Sequence, residues 1–232
     1  MQVLYLHGFA SSPQSSKATF LSRKFAERGI PVIVPDLNDP DFSTLTVSRM
    51  LQQVGKALAS AEGPFVIVGS SLGGFVAVHA ALRHPDRITR VVLLAPALDF
   101  DGNRLSELGD RGLDAWKSSN TLAVFHYGYG RTVPVHYELY ADARQYNALQ
   151  AQLAQPVQVF QGRWDTAVDP DTVERWASSR PNVELHMLDD DHQLLKSLDG
   201  IWTEIERFLT NRSPDTGPES PRDPSSPARD RR

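Results

Sequence analysis

The stretch Gly69-Ser70-Ser71-Leu72-Gly73-Gly74 decides the fold of this chain. A compact apolar run at residues 64–68 precedes it, and residues 72–82 have the character of a helix. A strand, a sharp turn and a helix are the context in which the pattern G-x-S-x-G forms a nucleophile elbow. A side chain on either flanking glycine would crowd the backbone as it reverses. The pattern predicts that Ser71, the central serine, stands above a sheet as a nucleophile; the alternative is a turn that only caps a helix.

Apolar runs alternate with helical patterns on both sides of this turn. The run at residues 91–94 is apolar on both faces, which suits a strand covered by helices on each side. Strands that alternate with helices form right-handed crossovers and a parallel sheet. The sequence therefore predicts an α/β fold with a doubly wound, mostly parallel sheet of about six strands. The predicted strands are residues 3–6, 31–34, 64–68, 91–94, 157–160 and 183–188.

The alternation breaks once and stops before the last residues. Residues 97–155 are irregular and rich in aromatic side chains, and a long interruption of this kind is typical of a functional insertion or lid. Residues 212–232 contain mainly proline, serine, aspartate and arginine, a composition that predicts disorder because it cannot bury enough apolar surface. The predicted organisation is one α/β domain over residues 1–211, with the insertion at 97–155, followed by a disordered tail.

The composition favours a cytoplasmic globular domain. The 232 residues are 41% hydrophobic and 22% charged, which is enough for a substantial core. A net charge of −4 at pH 7 without a basic stripe argues against a nucleic-acid partner. The chain has no cysteine, so disulfides and thiolate catalysis are excluded. Because it shows no signal-peptide pattern and no apolar run of bilayer length, we expect a cytoplasmic location and no membrane partner.

Two further predicted strand ends carry partners for Ser71. In open α/β sheets, functional sites lie at the carboxyl ends of the strands. His192 lies just beyond the strand at 183–188, and an imidazole can accept and return a proton near neutral pH. Asp165 follows the strand at 157–160 and would orient that imidazole and stabilise its charged form. The chain order Ser, Asp, His is the order found in hydrolases with a nucleophile elbow.

Other acids and histidines compete for these roles. Asp169 would have to reach across a turn, because a proline follows it. Residues 189–191 are also acidic, but they are too close in sequence to His192 to face its ring easily. We therefore prefer Asp165 as the acid. We interpret His7 as a loop-shaping residue and the remaining histidines as packing or surface residues: His79, His84, His126, His136 and His186.

The predicted site also needs donors for a developing negative charge. An oxyanion hole uses two N–H groups aimed at the same point. The amide of Leu72 is one donor by its position after the nucleophile, and the amide of Phe9, at the end of the first strand, is the natural second. This set suits acyl transfer, in which Ser71 attacks a carbonyl, His192 accepts its proton, and water later releases the acyl group.

Several motifs together resemble the α/β-hydrolase superfamily and, more narrowly, the small YqiA-type bacterial esterases. These motifs are the elbow, the run Leu4-Tyr5-Leu6-His7-Gly8-Phe9, then Ser11-Ser12-Pro13 and Lys17-Ala18. The resemblance covers residues 3–209. It implies an α/β-hydrolase sheet that lacks the first two strands of larger hydrolases, with strand order 2-1-3-4-5-6. It also implies a cofactor-free esterase for short acyl esters, with Ser71 as nucleophile, Asp165 as acid, His192 as base, and Phe9 and Leu72 as oxyanion amides.

The sequence thus predicts a serine hydrolase that cleaves carboxylic esters or thioesters of small acyl substrates. Two alternatives remain open at this point. The same triad could act on amides or peptides, on carbon–carbon bonds, or in a lyase step. A non-catalytic binding module would be expected to lack a triad member, and none is lacking. We expect no cofactor and no metal, because the chain has no dinucleotide fingerprint, phosphate loop or zinc-ligand spacing.

Overall fold

The structure is a computed structural model that describes residues 1–100 and 109–210. The tail predicted to be disordered, residues 212–232, lies outside the described residues. So does part of the predicted insertion at 97–155. None of the helices in the two described ranges combines the length and the apolar character that crossing a bilayer requires.

Within residues 1–100 and 109–210, eight strands form two sheets. They are β1 (Gln2–Leu6), β2 (Val32–Ile33), β3 (Phe65–Ser70), β4 (Ile88–Leu94), β5 (Thr121–His126), β6 (Arg131–His136), β7 (Val157–Gly162) and β8 (Val183–Leu188). The six-stranded sheet has the order β2-β1-β3-β4-β7-β8, and every neighbouring pair in it is parallel. This arrangement confirms the predicted fold class and the predicted strand order, with β7 and β8 as the fifth and sixth strands of the sheet.

In the described part of the chain, seven helices connect and cover the strands. They are α1 (Ser16–Glu27), α2 (Val47–Ala59), α3 (Leu72–Arg83), α4 (Gly109–Ser119), α5 (Glu138–Ala143), α6 (Pro170–Ser178) and α7 (Leu198–Thr210). A short 3₁₀ turn at Phe42–Thr44 precedes α2. Side chains cap the starts of α2 and α6. Thr46 accepts a hydrogen bond from the amide of Arg49 in α2. Asp169 accepts hydrogen bonds from the amides of Asp171 and Thr172 in α6.

The main sheet has a buried core on each face because successive strand side chains point to opposite sides. In β1, Val3 and Tyr5 face the layer formed by α1 and α7. Leu4 and Leu6 face the other layer, which contains residues of α2, α3 and α6. Helices cover both faces of the sheet, which makes it doubly wound. The loops that carry polar side chains therefore lie at the ends of its strands.

The segment between β4 and β7 contains a hairpin that sequence reasoning did not predict. Strands β5 and β6 pair antiparallel, with Phe125 opposite Thr132. The hairpin turn contains Gly130 at a φ of 63°, a backbone conformation that glycine adopts without strain. The side chains of β5 alternate between exposed and partly buried positions. This alternation is typical of a strand, but the aromatic residues around it made it hard to recognise in the sequence.

Leu21→Ala is expected to lower the free energy of unfolding by about 2–5 kcal/mol, because it leaves a cavity under α1. Leu21 is fully buried against the α7 face of the sheet. The matched control is Leu82→Ala on α3, where the side chain is 42% exposed and we expect a change of less than about 0.5 kcal/mol. Urea unfolding followed by circular dichroism measures both. Equal effects of the two substitutions would contradict this description of the core.

Candidate active site

The chain reverses sharply at Ser71, between β3 and α3. Ser71 has a φ of 53° and a ψ of −118°, a conformation that an L-residue adopts only when its surroundings impose it. A Cβ on Gly69 would lie 2.4 Å from the carbonyl oxygen of Gly73, and a Cβ on Gly73 would lie 2.2 Å from that of Leu6. The two glycines therefore let β1, β3 and the start of α3 pass in direct backbone contact.

The three predicted side chains lie together at the carboxyl edge of the sheet. The Nε2 atom of His192 is 3.2 Å from the Oγ atom of Ser71. The Nδ1 atom of the same ring is 2.8 Å from the Oδ2 atom of Asp165. Asp165 is in the loop after β7 and His192 is in the loop after β8, so adjacent parallel strands deliver both residues to the serine.

The rival acids use their carboxylates locally. Asp169 caps the N-terminus of α6. Asp189 is exposed and lies 3.4 Å from Arg163. Asp190 is buried, and its Oδ2 atom accepts a hydrogen bond from the amide of Ser197 at 3.0 Å. Each of these side chains organises its own loop or helix end.

Asp165 is held in one orientation from several directions. Its Oδ1 atom accepts hydrogen bonds from the amides of Ala167 and Val168, both at 2.8 Å. Its Oδ2 atom accepts one from the Nε2 atom of Gln161 at 2.9 Å, beside His192. Burial favours the neutral carboxyl, but the hydrogen bond and charge of His192, with the bonds from Val168 and Gln161, outweigh it and lower the pKa of Asp165. The residue is therefore an anion near neutral pH.

His7 shapes the loop after β1, as predicted from the sequence. The ring is 1% exposed. Its Nε2 atom accepts a hydrogen bond from the amide of Leu37 at 3.0 Å, so its Nδ1 atom carries the proton and donates to the carbonyl oxygen of Gly8 at 3.0 Å. Asp36 Oδ1 lies 3.4 Å from Nε2, but an acceptor nitrogen forms no ion pair with a carboxylate. His7 thus ties the loop after β2 to the loop that carries Phe9.

The two predicted oxyanion amides belong to segments that adjoin Ser71. A Cβ on Gly8 would lie 3.3 Å from the Cβ atom of Ser71, so the backbone leading to Phe9 passes directly beside the serine. Leu72 follows Ser71 as the first residue of α3, where helix amides have no intrahelical acceptor.

The β5–β6 hairpin contacts the loop that carries Phe9, and the sequence did not signal this contact. The amide of Tyr127 donates to the carbonyl oxygen of Ala10 at 2.9 Å. The ring of His126 is buried and lies edge-on to Phe42 at 4.7 Å, and Phe42 packs against Phe9 at 5.3 Å between ring centroids. Burial lowers the pKa of His126. This histidine is a packing residue, as the sequence interpretation had it.

One cluster of potential metal ligands lies away from the triad. Glu184, His186 and Glu204 place one ligand atom each within 4.8 Å of one another, a grouping assessed over the described residues only. Arg207 donates to Glu184 at 2.5 Å and pairs with Glu204 at 2.7 Å. Because the guanidinium already balances both carboxylates, we interpret the cluster as an ion-pair network.

Lys17 is a further residue at the site to which the sequence analysis gave no role. It is 8% exposed, and its Nζ atom donates to the carbonyl oxygen of His192 at 3.2 Å. A buried lysine is rare unless it is paired. The only sequence signal was its place in the motif Lys17-Ala18, which carries no chemistry by itself.

A protein-family profile matches nearly all of the described chain. It is the profile of the Uncharacterised protein family (UPF0227), and it matches residues 2–210. The chain belongs to this family. The match spans the whole parallel sheet and the three residues that meet at its carboxyl edge. The UPF0227 chain also shares its fold with solved α/β hydrolases, as the resemblance of its motifs implied.

Individual relatives of the UPF0227 chain carry hydrolase names. It is 37% identical over 86 residues to "Lipase LipV" of Mycobacterium tuberculosis, covering 35% of this chain and 33% of the relative. It is 29% identical over 103 residues to "Palmitoyl-protein thioesterase ABHD10, mitochondrial" of Mus musculus, covering 42% and 35%. The match thus spans about a third of the length of these relatives. The structure of Est1E from Butyrivibrio proteoclasticus with ferulic acid bound superposes with a TM-score of 0.79 at 17% identity, covering 90% of this chain and 88% of Est1E.

His7→Ala is expected to lower the free energy of unfolding by about 1–3 kcal/mol, because it leaves the buried amide of Leu37 without an acceptor. The control is His84→Ala, which removes a partly exposed ring and should cost less than about 1 kcal/mol. Urea unfolding at neutral pH compares the two. A His7→Ala protein as stable as the wild type would contradict the bridging role of the ring.

Asp165→Asn is expected to change the pH dependence of stability. Because the folded pKa of Asp165 is lowered, its anion stabilises the fold above the unfolded carboxyl value of about 3.9, and this contribution is lost as pH falls through the folded pKa. Wild type should therefore exceed the variant in unfolding free energy at pH 7, and the difference should shrink below about pH 4. Urea titrations at several pH values test this. Asp189→Asn, at an exposed site, is the control with a small constant difference.

Proposed function

We propose that this chain is a serine hydrolase that cleaves carboxylic esters or thioesters through a Ser-His-Asp triad. The observation that carries the proposal is the continuous line of contacts from Ser71 Oγ to His192 Nε2 and from His192 Nδ1 to Asp165 Oδ2. A nucleophile within reach of a base, and a base oriented by a third group, is the arrangement that activates a serine. Names of ester and thioester hydrolases among the relatives support the same reaction class.

The triad would relay a proton twice, once while the covalent acyl-enzyme forms and once while water hydrolyses it. Ser71 attacks the substrate carbonyl while His192 accepts the hydroxyl proton on Nε2. Asp165 keeps Nδ1 protonated, which leaves Nε2 free to act as the base, and it stabilises the imidazolium that forms. His192 then gives the proton to the leaving alcohol or thiol. Water, activated by the same ring, attacks the acyl group on Ser71 and regenerates the enzyme.

The amides of Phe9 and Leu72 would bind the oxyanion of the tetrahedral intermediate. The backbone leading to Phe9 passes Ser71 closely, and Leu72 brings the positive end of the α3 dipole. Donors that are already in place stabilise the developing charge without a reorganisation cost. The ring of His7 supports the first of them, because it holds the carbonyl of the preceding residue, Gly8.

The substrate would be a small molecule with an apolar acyl group. The insertion at residues 97–155 would contribute one wall of the acyl site, since its hairpin contacts Ala10 in the loop beside Ser71. Aromatic side chains are exposed near this wall, with Phe125 50% and Tyr127 77% exposed. Aromatic and apolar linings are typical of sites for small ligands. The palmitoyl-protein thioesterase and the ferulic-acid complex among the relatives support acyl or aromatic esters as the class to test.

Ester and thioester hydrolysis by wild type and Ser71→Ala tests the proposal. We expect wild type to hydrolyse p-nitrophenyl esters, with an optimum in a series from acetate to palmitate, and acyl thioesters of the same lengths. Ser71→Ala should lower kcat by at least about 10⁴-fold, because removing the nucleophile removes the acyl-enzyme route. Ser70→Ala is the matched control and should keep activity and labelling by a fluorophosphonate probe.

Three outcomes would contradict the proposal in different ways. A wild type that is inert to esters and thioesters and to the probe would favour a non-catalytic binding module. Probe labelling of Ser71 without turnover of either substrate series would assign the triad to amides or another bond. Equal activity of wild type and Ser71→Ala would show that Ser71 is not the nucleophile.

A further inference from the structure

Lys17 occupies an unusual place for a lysine. It is the second residue of α1, and its side chain is buried at 8% exposure beneath the loop that follows β8. Burying an ammonium costs free energy unless acceptors and opposite charges compensate it. Its Nζ atom donates to the backbone carbonyl of His192 at 3.2 Å. The acceptor belongs to the residue whose ring lies between Ser71 and Asp165.

Acidic groups from two loops face this ammonium. Asp165 faces it from the loop after β7, and Asp190 and Asp191 face it from the loop after β8. Asp190 is 2% exposed, so part of this negative charge is itself buried. Two further titratable residues lie nearby: His192, whose backbone carbonyl accepts the bond from Lys17, and Tyr5, which is buried in the core with Ala18 of the same helix.

The backbone around His192 is also fixed by contacts that do not involve Lys17. The amide of Trp164 donates to the carbonyl oxygen of Asp190 at 3.1 Å, and Asp191 accepts a hydrogen bond from the amide of Gln193 at 2.8 Å. A Cβ on Gly162 would lie 2.5 Å from the carbonyl oxygen of Asp190. The loop is therefore packed against β7, and Lys17 supplies its contact with α1.

We propose that Lys17 is a positioning residue for the triad: its ammonium holds the carbonyl of His192, and so keeps the imidazole aligned between Ser71 and Asp165. The same charge balances the buried carboxylates of Asp165 and Asp190. This proposal rests on the proposed function, because the alignment matters only if His192 is the base. The hydrogen bond of Lys17 goes to the backbone of His192, so Lys17 acts through that residue.

The charge state of Lys17 gives the proposal a pH signature. Burial lowers the pKa of Lys17 to about 8, although the charges of Asp165, Asp191 and Asp190 oppose that shift. The ammonium is present at neutral pH and is lost as pH rises through about 8. Above that value, the backbone carbonyl of His192 would lose its charged donor.

The test compares Lys17→Met, Lys17→Arg and Lys24→Met. Methionine keeps the length of the stem without a donor or charge, and arginine keeps both. Lys24→Met is the matched control on the same helix, where the ammonium lies 3.8 Å from exposed Asp199 and away from the triad. Ester hydrolysis is measured for each from pH 5 to 10, and circular dichroism establishes that each variant is folded.

Lys17→Met should lower kcat by about 10- to 100-fold at pH 7, because misplacing a catalytic group by about 1 Å costs on this order. Its KM should stay within about threefold, since no substrate contact is removed. The decline in kcat above about pH 8, which loss of the ammonium causes in wild type, should be absent in Lys17→Met because that variant has no charge to lose. Lys17→Arg should recover most of the activity. It should also lack the wild-type decline in kcat above about pH 8.

Two results would overturn the proposal. Lys17→Met with wild-type kcat and an unchanged pH profile would show that the contact has no effect on the base. Lost activity with no recovery by arginine would show a structural role only. Comparing the chemical shifts of the His192 ring protons by NMR in wild type and Lys17→Met at pH 7 needs no substrate. It therefore tests the positioning role of Lys17 even if wild type fails to hydrolyse esters, a failure that would count against the proposed function alone.

Discussion

The site depends on one backbone constraint, the reversal at Ser71 with its positive φ. Strand β3 must turn into α3 within one residue, and this is possible only where β1, β3 and α3 have no side chains between their backbones. Gly69 and Gly73 meet that condition. The cost of the strained residue, on the order of 1–3 kcal/mol, is offset by the fully buried strand before it and the mostly buried helix after it. The core therefore serves the site by holding this turn in place.

Much of the fold and of the triad follows from local sequence patterns. Continuous apolar runs identify buried parallel strands, and the carboxyl ends of such strands meet at one edge, so Ser71, Asp165 and His192 could be grouped without coordinates. The β5–β6 hairpin could not be predicted in the same way. Its strands have one exposed face, β6 contains Pro134, and tyrosines lie in the turn and directly after β6, so the alternation is weak. What positions the strands is contact with residues near the start of the chain.

Sequence reasoning could not predict the long-range polar contacts, because the residues that form them are far apart in the chain. Lys17 and His192 are 175 positions apart, and no spacing rule connects them. The same holds for the pairing of His7 with the amide of Leu37, 30 positions away. Pattern reasoning identifies the residues that perform chemistry, because chemistry restricts residue type. It does not identify the residues that orient them, because many side chains can donate or accept one hydrogen bond.

The loop between β1 and α1 connects these orienting contacts. Residues 8–10 bring Phe9 past Ser71 and accept the hairpin through the carbonyl of Ala10. A few residues later the same segment enters α1, whose second residue is the donor to His192. A hairpin that swung away as a lid would break the bond to Ala10 and expose the buried ring of His126. These contacts favour a hairpin that stays in place. This one loop connects the backbone of Phe9 to the residue that donates to the carbonyl of His192.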